Sequence, residues 1–98
     1  MKPVVYHCEA DVELVGAAKY YQCQRWQLGR KLLRAVHGAL AEIRHNPERF
    51  PFYERPARAC RVIGFPDRVV YEDLEDAIYV VAVAHTSREP GYWKNRLS

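Results

Sequence analysis

The chain has 98 residues, which is enough for one domain, residues 1–98, with one modest hydrophobic core. Its net charge of +3 is too small to indicate nucleic-acid binding by itself. The charge is unevenly distributed, because residues 25–68 contain ten basic and four acidic side chains, whereas four of the five residues 72–76 are acidic.

Sequence signals for disulfides, metals, cofactors and membranes are missing. Cys8, Cys23 and Cys60 are odd in number and have no short paired spacing, so they predict neither a disulfide framework nor a zinc site. The four histidines show no metal-ligand spacing and the five glycines form no phosphate-binding loop, so no cofactor is expected. No segment resembles a signal peptide or has the ~20 apolar residues of a membrane span. We therefore expect a cytoplasmic protein.

The amino-terminal part of the chain predicts a strand and a helix. Residues 4–8 form a short β-branched and aromatic run, which is typical of a strand. A helix is expected from about Ala10 to Trp26, because acidic side chains at positions 9, 11 and 13 favour the positive end of a helix dipole. Its apolar face carries Leu14, Ala17, Ala18 and Tyr21, while Glu13, Lys19, Gln22 and Gln24 are expected to lie largely outside that face.

A second helix is expected from about Gly29 to His45, and its periodicity is the clearest in the chain. Leu32, Val36, Leu40 and Ile43 recur at spacings of four, four and three residues. The helix should end at Asn46-Pro47, because the residue before a proline is pushed out of the helical conformation. We expect this apolar stripe to pack against Val81 and Val83.

The carboxy-terminal half predicts three strands. Residues 48–56 contain two prolines and three aromatic residues and are interpreted as an ordered loop. Strands are expected over residues 57–63, 68–72 and 78–85. Residues 78–85 form the longest uncharged run in the chain, so this strand should have neighbours on both sides. The predicted order of elements is therefore β-α-α-β-β-β.

This order, together with several short motifs, resembles the RelE/ParE superfamily of toxins from type II toxin–antitoxin modules, on the plasmid-stabilisation or ParE side. The resemblance covers nearly the whole chain. The motifs are Tyr20-Tyr21, Leu28-Gly29, Asn46-Pro47-Glu48-Arg49-Phe50-Pro51, Phe65-Pro66, Val69-Val70-Tyr71 and Val81-Ala82-Val83-Ala84-His85, followed by Arg88, Pro90 and Trp93.

The resemblance implies an α+β fold in which a helical hairpin packs on one face of an antiparallel sheet, with the first strand beside the last. It also implies a cognate antitoxin, which we expect to be acidic and partly disordered. Members of the superfamily either cut ribosome-bound messenger RNA or inhibit DNA gyrase, and the fold alone does not decide between these outcomes.

An RNA-cutting protein needs cations to hold the phosphate and groups that accept and donate protons. The candidate catalytic residues are Arg61, His85, Arg88 and Tyr92. RNA-cutting relatives often add lysines on the strand before, whereas this chain has Ala57 and Ala59 in that region. The acidic residues 72–76 would also repel an RNA backbone. These departures favour a protein that acts by binding a target such as gyrase, with a toxin fold retained without toxicity as a third alternative.

The candidate residues for binding the antitoxin or the target are Arg30, Lys31, Arg34, Arg58, Arg61 and Trp93. Several of the candidate residues have a structural alternative. The basic residues of the second helix can form an ordinary solvated face. His85 at a strand end can bond a nearby backbone group, and Trp93 can anchor the carboxy-terminal tail on the sheet.

Overall fold

A computed structural model describes residues 1–98 and contains two helices and five strands. The elements in chain order are β1 (Val4–Tyr6), α1 (Cys8–Gln24), α2 (Leu28–His45), β2 (Phe52–Glu54), β3 (Ala57–Arg61), β4 (Asp67–Asp73) and β5 (Ile78–His85), followed by a 3-10 turn at Lys94–Arg96. The predicted order is confirmed, with the addition of β2 inside the expected loop. No helix is both long enough and apolar enough to cross a lipid bilayer.

Helix α1 begins two residues earlier than the sequence predicted. The reason is His7, whose imidazole Nδ1 accepts a hydrogen bond from the Glu9 N–H at 3.0 Å and so caps the first turn. The helix also ends earlier, at Gln24, which leaves Trp26 in the turn between the helices, where 79% of its surface is exposed.

The five strands form one sheet in the order β1-β5-β4-β3-β2. The expectation that the first strand lies beside the last is confirmed, and so are the two neighbours of β5. Strand β1 runs parallel to β5, whereas the other pairs are antiparallel, so the sheet is mixed. A parallel pair requires a long crossover connection, which the helical hairpin and the intervening strands provide.

The main hydrophobic core lies between the helices and one face of the sheet, called here the front face. The α2 stripe of Leu32, Val36, Leu40 and Ile43 is buried there in one cluster with Val83. Val81 instead belongs to the cluster on the opposite, back face, so that half of the predicted packing is wrong.

A bulge explains the position of Val81. The register with β4 passes from Val70 opposite Ala82 to Tyr71 opposite Val80, which leaves Val81 as an extra residue. An extra residue in one strand shifts the alternation of its side chains, so Val81 and Ala82 both pack on the back face.

The helical hairpin is closed by a tight approach of its two backbones. Gln27 adopts a left-handed conformation with φ of 66°, which turns the chain between the helices. A Cβ atom at Gly29 would lie only 2.5 Å from the Ala18 carbonyl oxygen. The Leu28-Gly29 motif therefore has a structural reason: no side chain fits at position 29, where α2 crosses α1.

Candidate functional site

Glu13 organises the region where β5 meets the carboxy-terminal tail. Its carboxylate accepts hydrogen bonds from the Tyr92 hydroxyl at 2.8 Å and from two Arg96 nitrogens at 3.0 and 3.1 Å. Only 15% of the Glu13 side chain is exposed. The expectation that Glu13 lies outside the buried face of α1 is wrong, because the tail folds back over this part of the helix and covers it.

The same ion pair completes an unfinished edge of the sheet. Strand β1 ends at Tyr6, so it pairs with β5 only as far as Val80. Beyond that point, Arg96 Nη1 donates to the Val81 carbonyl at 3.1 Å and the Glu13 carboxylate accepts from the Val83 N–H at 3.1 Å. Two side chains thus form hydrogen bonds with backbone groups of β5 that a longer β1 would have paired.

Tyr92, a candidate for proton transfer, is held as a neutral hydrogen-bond donor. Burial and the bond to Glu13 raise the pKa of its phenol well above its usual value of 10.0. The Arg88 guanidinium stacks on the Tyr92 ring at 3.9 Å from its centre, and Arg88 Nη1 is 4.0 Å from the Glu13 carboxylate. The Tyr92 hydroxyl is therefore occupied, and part of the charge of Arg88 is already balanced.

His85 ends β5 and lines a cavity of about 390 Å³ between α1 and the sheet. Its Nδ1 accepts a hydrogen bond from the Ser87 N–H at 2.9 Å, as expected for a histidine that stabilises the end of a strand. Asp67 lies opposite His85 in the register, is buried, and accepts a bond from the Tyr21 hydroxyl at 2.7 Å. Arg88 stands at the rim of the same cavity.

Arg61 lies apart from the other candidate catalytic residues. His85, Arg88 and Tyr92 share a small cleft with Arg68, a residue that the sequence did not single out. Arg61 instead borders a groove of about 260 Å³, and Arg68 lines this groove as well. Arg68 thus lies between the two parts of the predicted site.

The predicted binding residues fall into three environments. Arg30, Lys31 and Arg34 are exposed on α2 and form no ion pair. Arg58 is half-buried, and its Nη1 donates to the carbonyl groups of Glu48 at 3.2 Å and Phe50 at 2.7 Å. It therefore holds the loop before β2 in place.

Trp93 is completely buried on the back face, in the cluster that contains Val81 and Ala82. Its predicted role as an anchor of the tail is confirmed. In this conformation the Trp93 ring has no exposed surface, so its role in binding a partner stays a prediction. No group of three or more histidine, cysteine or acidic side chains is arranged to hold a metal ion.

The sequence model of the ParE toxin of the type II toxin–antitoxin system parDE matches residues 4–90. The chain belongs to the ParE toxin family. A solved structure described as the chromosomal ParDE TA system from P. aeruginosa has a similar fold, with a TM-score of 0.62. The two sequences are 13% identical over 87% of this chain and 96% of that chain. A comparison with curated proteins gave no match.

The family assignment places this ParE-family chain among toxins of type II toxin–antitoxin systems. The matched region contains all five strands and both helices, and it ends at residue 90, before Tyr92, Trp93 and Arg96. The interactions of Arg96 and Tyr92 with Glu13 therefore join the unmatched tail to the matched domain.

Proposed function

We propose that the chain is the toxin of a type II toxin–antitoxin pair, that it acts in the cytoplasm by binding a cellular target such as DNA gyrase, and that an acidic, partly disordered antitoxin neutralises it. The match to the ParE toxin family supports the toxin assignment. The similar structure from P. aeruginosa is described as a ParDE toxin–antitoxin system, which supports the expectation of an antitoxin partner.

The state of Tyr92 is the observation that favours binding over catalysis. A metal-free nuclease needs a group that takes a proton from the attacking hydroxyl. The Tyr92 hydroxyl already donates a hydrogen bond to Glu13, and its raised pKa disfavours the anionic form that could act as a base. Ala57 and Ala59 provide no cation on the strand that carries Arg61.

Cleavage of messenger RNA on the ribosome is the second candidate, and exposed Arg61 is the observation that favours it. Its guanidinium forms no ion pair, so it is available to contact a phosphate group. In that mechanism Arg61 and Arg88 would hold the phosphate, while His85 or Tyr92 would transfer protons.

The exposed basic residues of α2 support the acidic character of the proposed antitoxin. Arg30, Lys31 and Arg34 have no acidic partner within the chain, so an acidic segment that orders on binding would complement them. We expect the affinity of the complex to weaken between low and moderate salt, because exposed charges are screened. Salt-independent binding in a titration with the purified antitoxin would contradict this electrostatic contribution.

Induced expression in a bacterial host distinguishes the candidates. We expect growth arrest that co-expression of the antitoxin prevents, and loss of supercoiling when the purified protein is added to gyrase. Primer-extension mapping of transcripts should show no site-specific cuts. Cuts that disappear in Arg61→Ala, with an unchanged circular dichroism spectrum, would establish the nuclease instead, since removing a group that meets transition-state charge costs about 100-fold in rate. Growth without arrest would identify a toxin fold retained without toxicity.

A further inference from the structure

The hairpin formed by β3 and β4 carries two like charges in direct opposition. Arg61 and Arg68 are paired in the register of these antiparallel strands. Like charges directly opposite one another destabilise a sheet. Neither guanidinium has a carboxylate within 4.0 Å, although Lys2, Arg49, Arg88, Lys94 and Arg96 all form ion pairs in the same protein. A bound anion would remove this repulsion.

The two arginines border a groove that can accept such an anion. The groove has a volume of about 260 Å³, and its other lining residues are Pro51, Phe52, Tyr53 and Ala59. The methyl group of Ala59 occupies little of this space. Phe52 and Tyr53 remain 39% and 36% exposed, so the groove combines an apolar wall with two guanidinium groups.

The groove lies beside a free edge of the sheet. Strand β2 is the last strand in the order, so its outer edge has no neighbour. An extended peptide can pair with such an edge through its backbone and direct alternate side chains to one face. The opposite edge, formed by β1, consists of Val4, Val5 and Tyr6 and has no unpaired arginine on it. An acidic segment is therefore attracted to the β2 edge.

The aromatic residues at this edge favour a peptide over a nucleic acid. Single-stranded nucleic acids gain affinity by stacking bases on exposed aromatic rings. The Phe52 ring already carries the guanidinium groups of Arg55 and Arg58 at 4.1 and 3.9 Å from its centre. The guanidinium of Arg68 lies 5.2 Å from the centre of the Tyr53 ring. These cations compete with bases for the rings while leaving the strand edge available.

We propose that the groove between Arg61 and Arg68, together with the outer edge of β2, binds an extended acidic segment of a partner protein. A carboxylate of the segment lies between the two guanidinium groups, and its backbone continues the sheet beyond β2. The binding chemistry follows from the groove itself. The identification of the segment as part of the antitoxin rests on the proposed function.

Fluorescence anisotropy with a labelled eight-residue peptide of alternating glutamate and valine tests the groove directly. We expect Arg61→Gln and Arg68→Gln each to weaken binding about tenfold or more, because charge-assisted contacts to carboxylate are among the strongest polar contacts. Arg25→Gln is the matched control, since Arg25 is exposed at the end of α1 in the helical layer. A peptide with lysine in place of glutamate should not bind.

The stability of the variants separates a binding role from a structural one. Arg61→Gln should leave the melting temperature unchanged or raise it, because the substitution removes one of two opposed like charges. Arg61 is exposed, so this variant remains informative if Arg68→Gln fails to fold. The Pro51 carbonyl accepts a bond from the Ala59 N–H on β3, so the next residue, Phe52, directs its N–H to the outer edge. Protection of the Phe52 amide from hydrogen exchange when the peptide binds is the expected sign of strand addition.

Equal binding by wild type and both groove variants would overturn the proposal, as would an equal loss in Arg25→Gln. A single-stranded oligonucleotide that binds more tightly than the acidic peptide, and depends on the same arginines, would assign the groove to nucleic acid instead. Growth arrest measures the proposed function separately. If the antitoxin rescues cells expressing wild type, Arg61→Gln and Arg68→Gln equally, the groove proposal fails while the toxin assignment stands.

Discussion

Replacement of Glu13 by alanine should destabilise the protein far more than an ordinary surface substitution. The carboxylate joins three parts of the chain, because it accepts hydrogen bonds from the Val83 N–H, the Tyr92 hydroxyl and the Arg96 guanidinium. Its removal leaves a backbone donor and a guanidinium without their acceptor. The consequence should therefore be a loss of folding free energy rather than a local change in the tail.

The magnitude follows from the burial of the pair. Removing one partner of a fully buried ion pair costs roughly 3 to 5 kcal/mol, because the other charge is left unpaired. Glu13 and Arg96 keep 15% and 11% of their side-chain exposure, so water can partly solvate Arg96 in the variant. We expect a loss of about 2 to 4 kcal/mol in the free energy of unfolding. For a domain of this size, that corresponds to a fall in melting temperature of roughly 10 to 30 °C.

Urea unfolding followed by tryptophan fluorescence measures this loss, since Trp93 is buried under the tail. Glu42→Ala is the matched control, because Glu42 is also a helical glutamate paired with an arginine, Arg49, but both side chains are about half exposed. The control should lose less than about 1 kcal/mol. If Glu13→Ala loses no more free energy of unfolding than Glu42→Ala, the buried Glu13–Arg96 pair does not stabilise the fold as expected.

Three further predictions concern the core, the hairpin and pH. Gly29→Ala should cost about 1 to 3 kcal/mol of stability, because its Cβ would strike the α1 backbone. Gly38→Ala should instead stabilise α2 by about 0.5 to 1 kcal/mol, because no atom lies within 4 Å of a Cβ at that position; thermal denaturation of both variants tests the difference. Leu32→Ala should lose about 2 to 5 kcal/mol in the free energy of unfolding and Leu33→Ala less than about 1 kcal/mol, because Leu32 is fully buried and Leu33 is 43% exposed. Similar losses for the two variants in urea unfolding would show that the buried face of α2 is misassigned. Burial raises the pKa of Tyr71 from 10.0 to about 12, so the neutral phenol stabilises the folded state below pH 10 and this contribution is lost as pH rises to 12. Tyr71→Phe should therefore lose less stability between pH 10 and pH 12 than wild type, as measured by urea titrations at each pH. Equal losses in both proteins would contradict this prediction.

The helices were predictable because their signals are local. The apolar period that predicted α2 from Gly29 lies entirely within the helix, and the structure begins it only one residue earlier, at Leu28. Strand β2 gave no such signal. It has three residues in a segment interrupted by prolines, and it forms because β3 provides a partner for Phe52 and Glu54. Sequence periodicity cannot detect a strand that depends on its neighbour for pairing.

The Glu13 site could not have been found from local patterns. Glu13 and Arg96 are separated by 83 positions, and neither belongs to a motif. Glu13 lies one residue before Leu14 on the boundary of the apolar face of α1, where helical periodicity alone does not decide burial. The bulge at Val81 raises the same difficulty. It reverses side-chain alternation within an uninterrupted apolar run, so both faces remain equally compatible with the sequence.

The Glu13 site and the proposed groove are connected through the edges of the sheet. A partner that binds by strand addition needs an edge whose backbone groups are free. Near the end of β5, the Val81 carbonyl and the Val83 N–H are already bonded to the side chains of Arg96 and Glu13, which closes that stretch to a partner. Strand β2 keeps an open outer edge and has unpaired arginines beside it. The Glu13–Arg96 pair that stabilises the carboxy-terminal tail thereby also directs an acidic segment to the opposite edge of the sheet, which β2 forms.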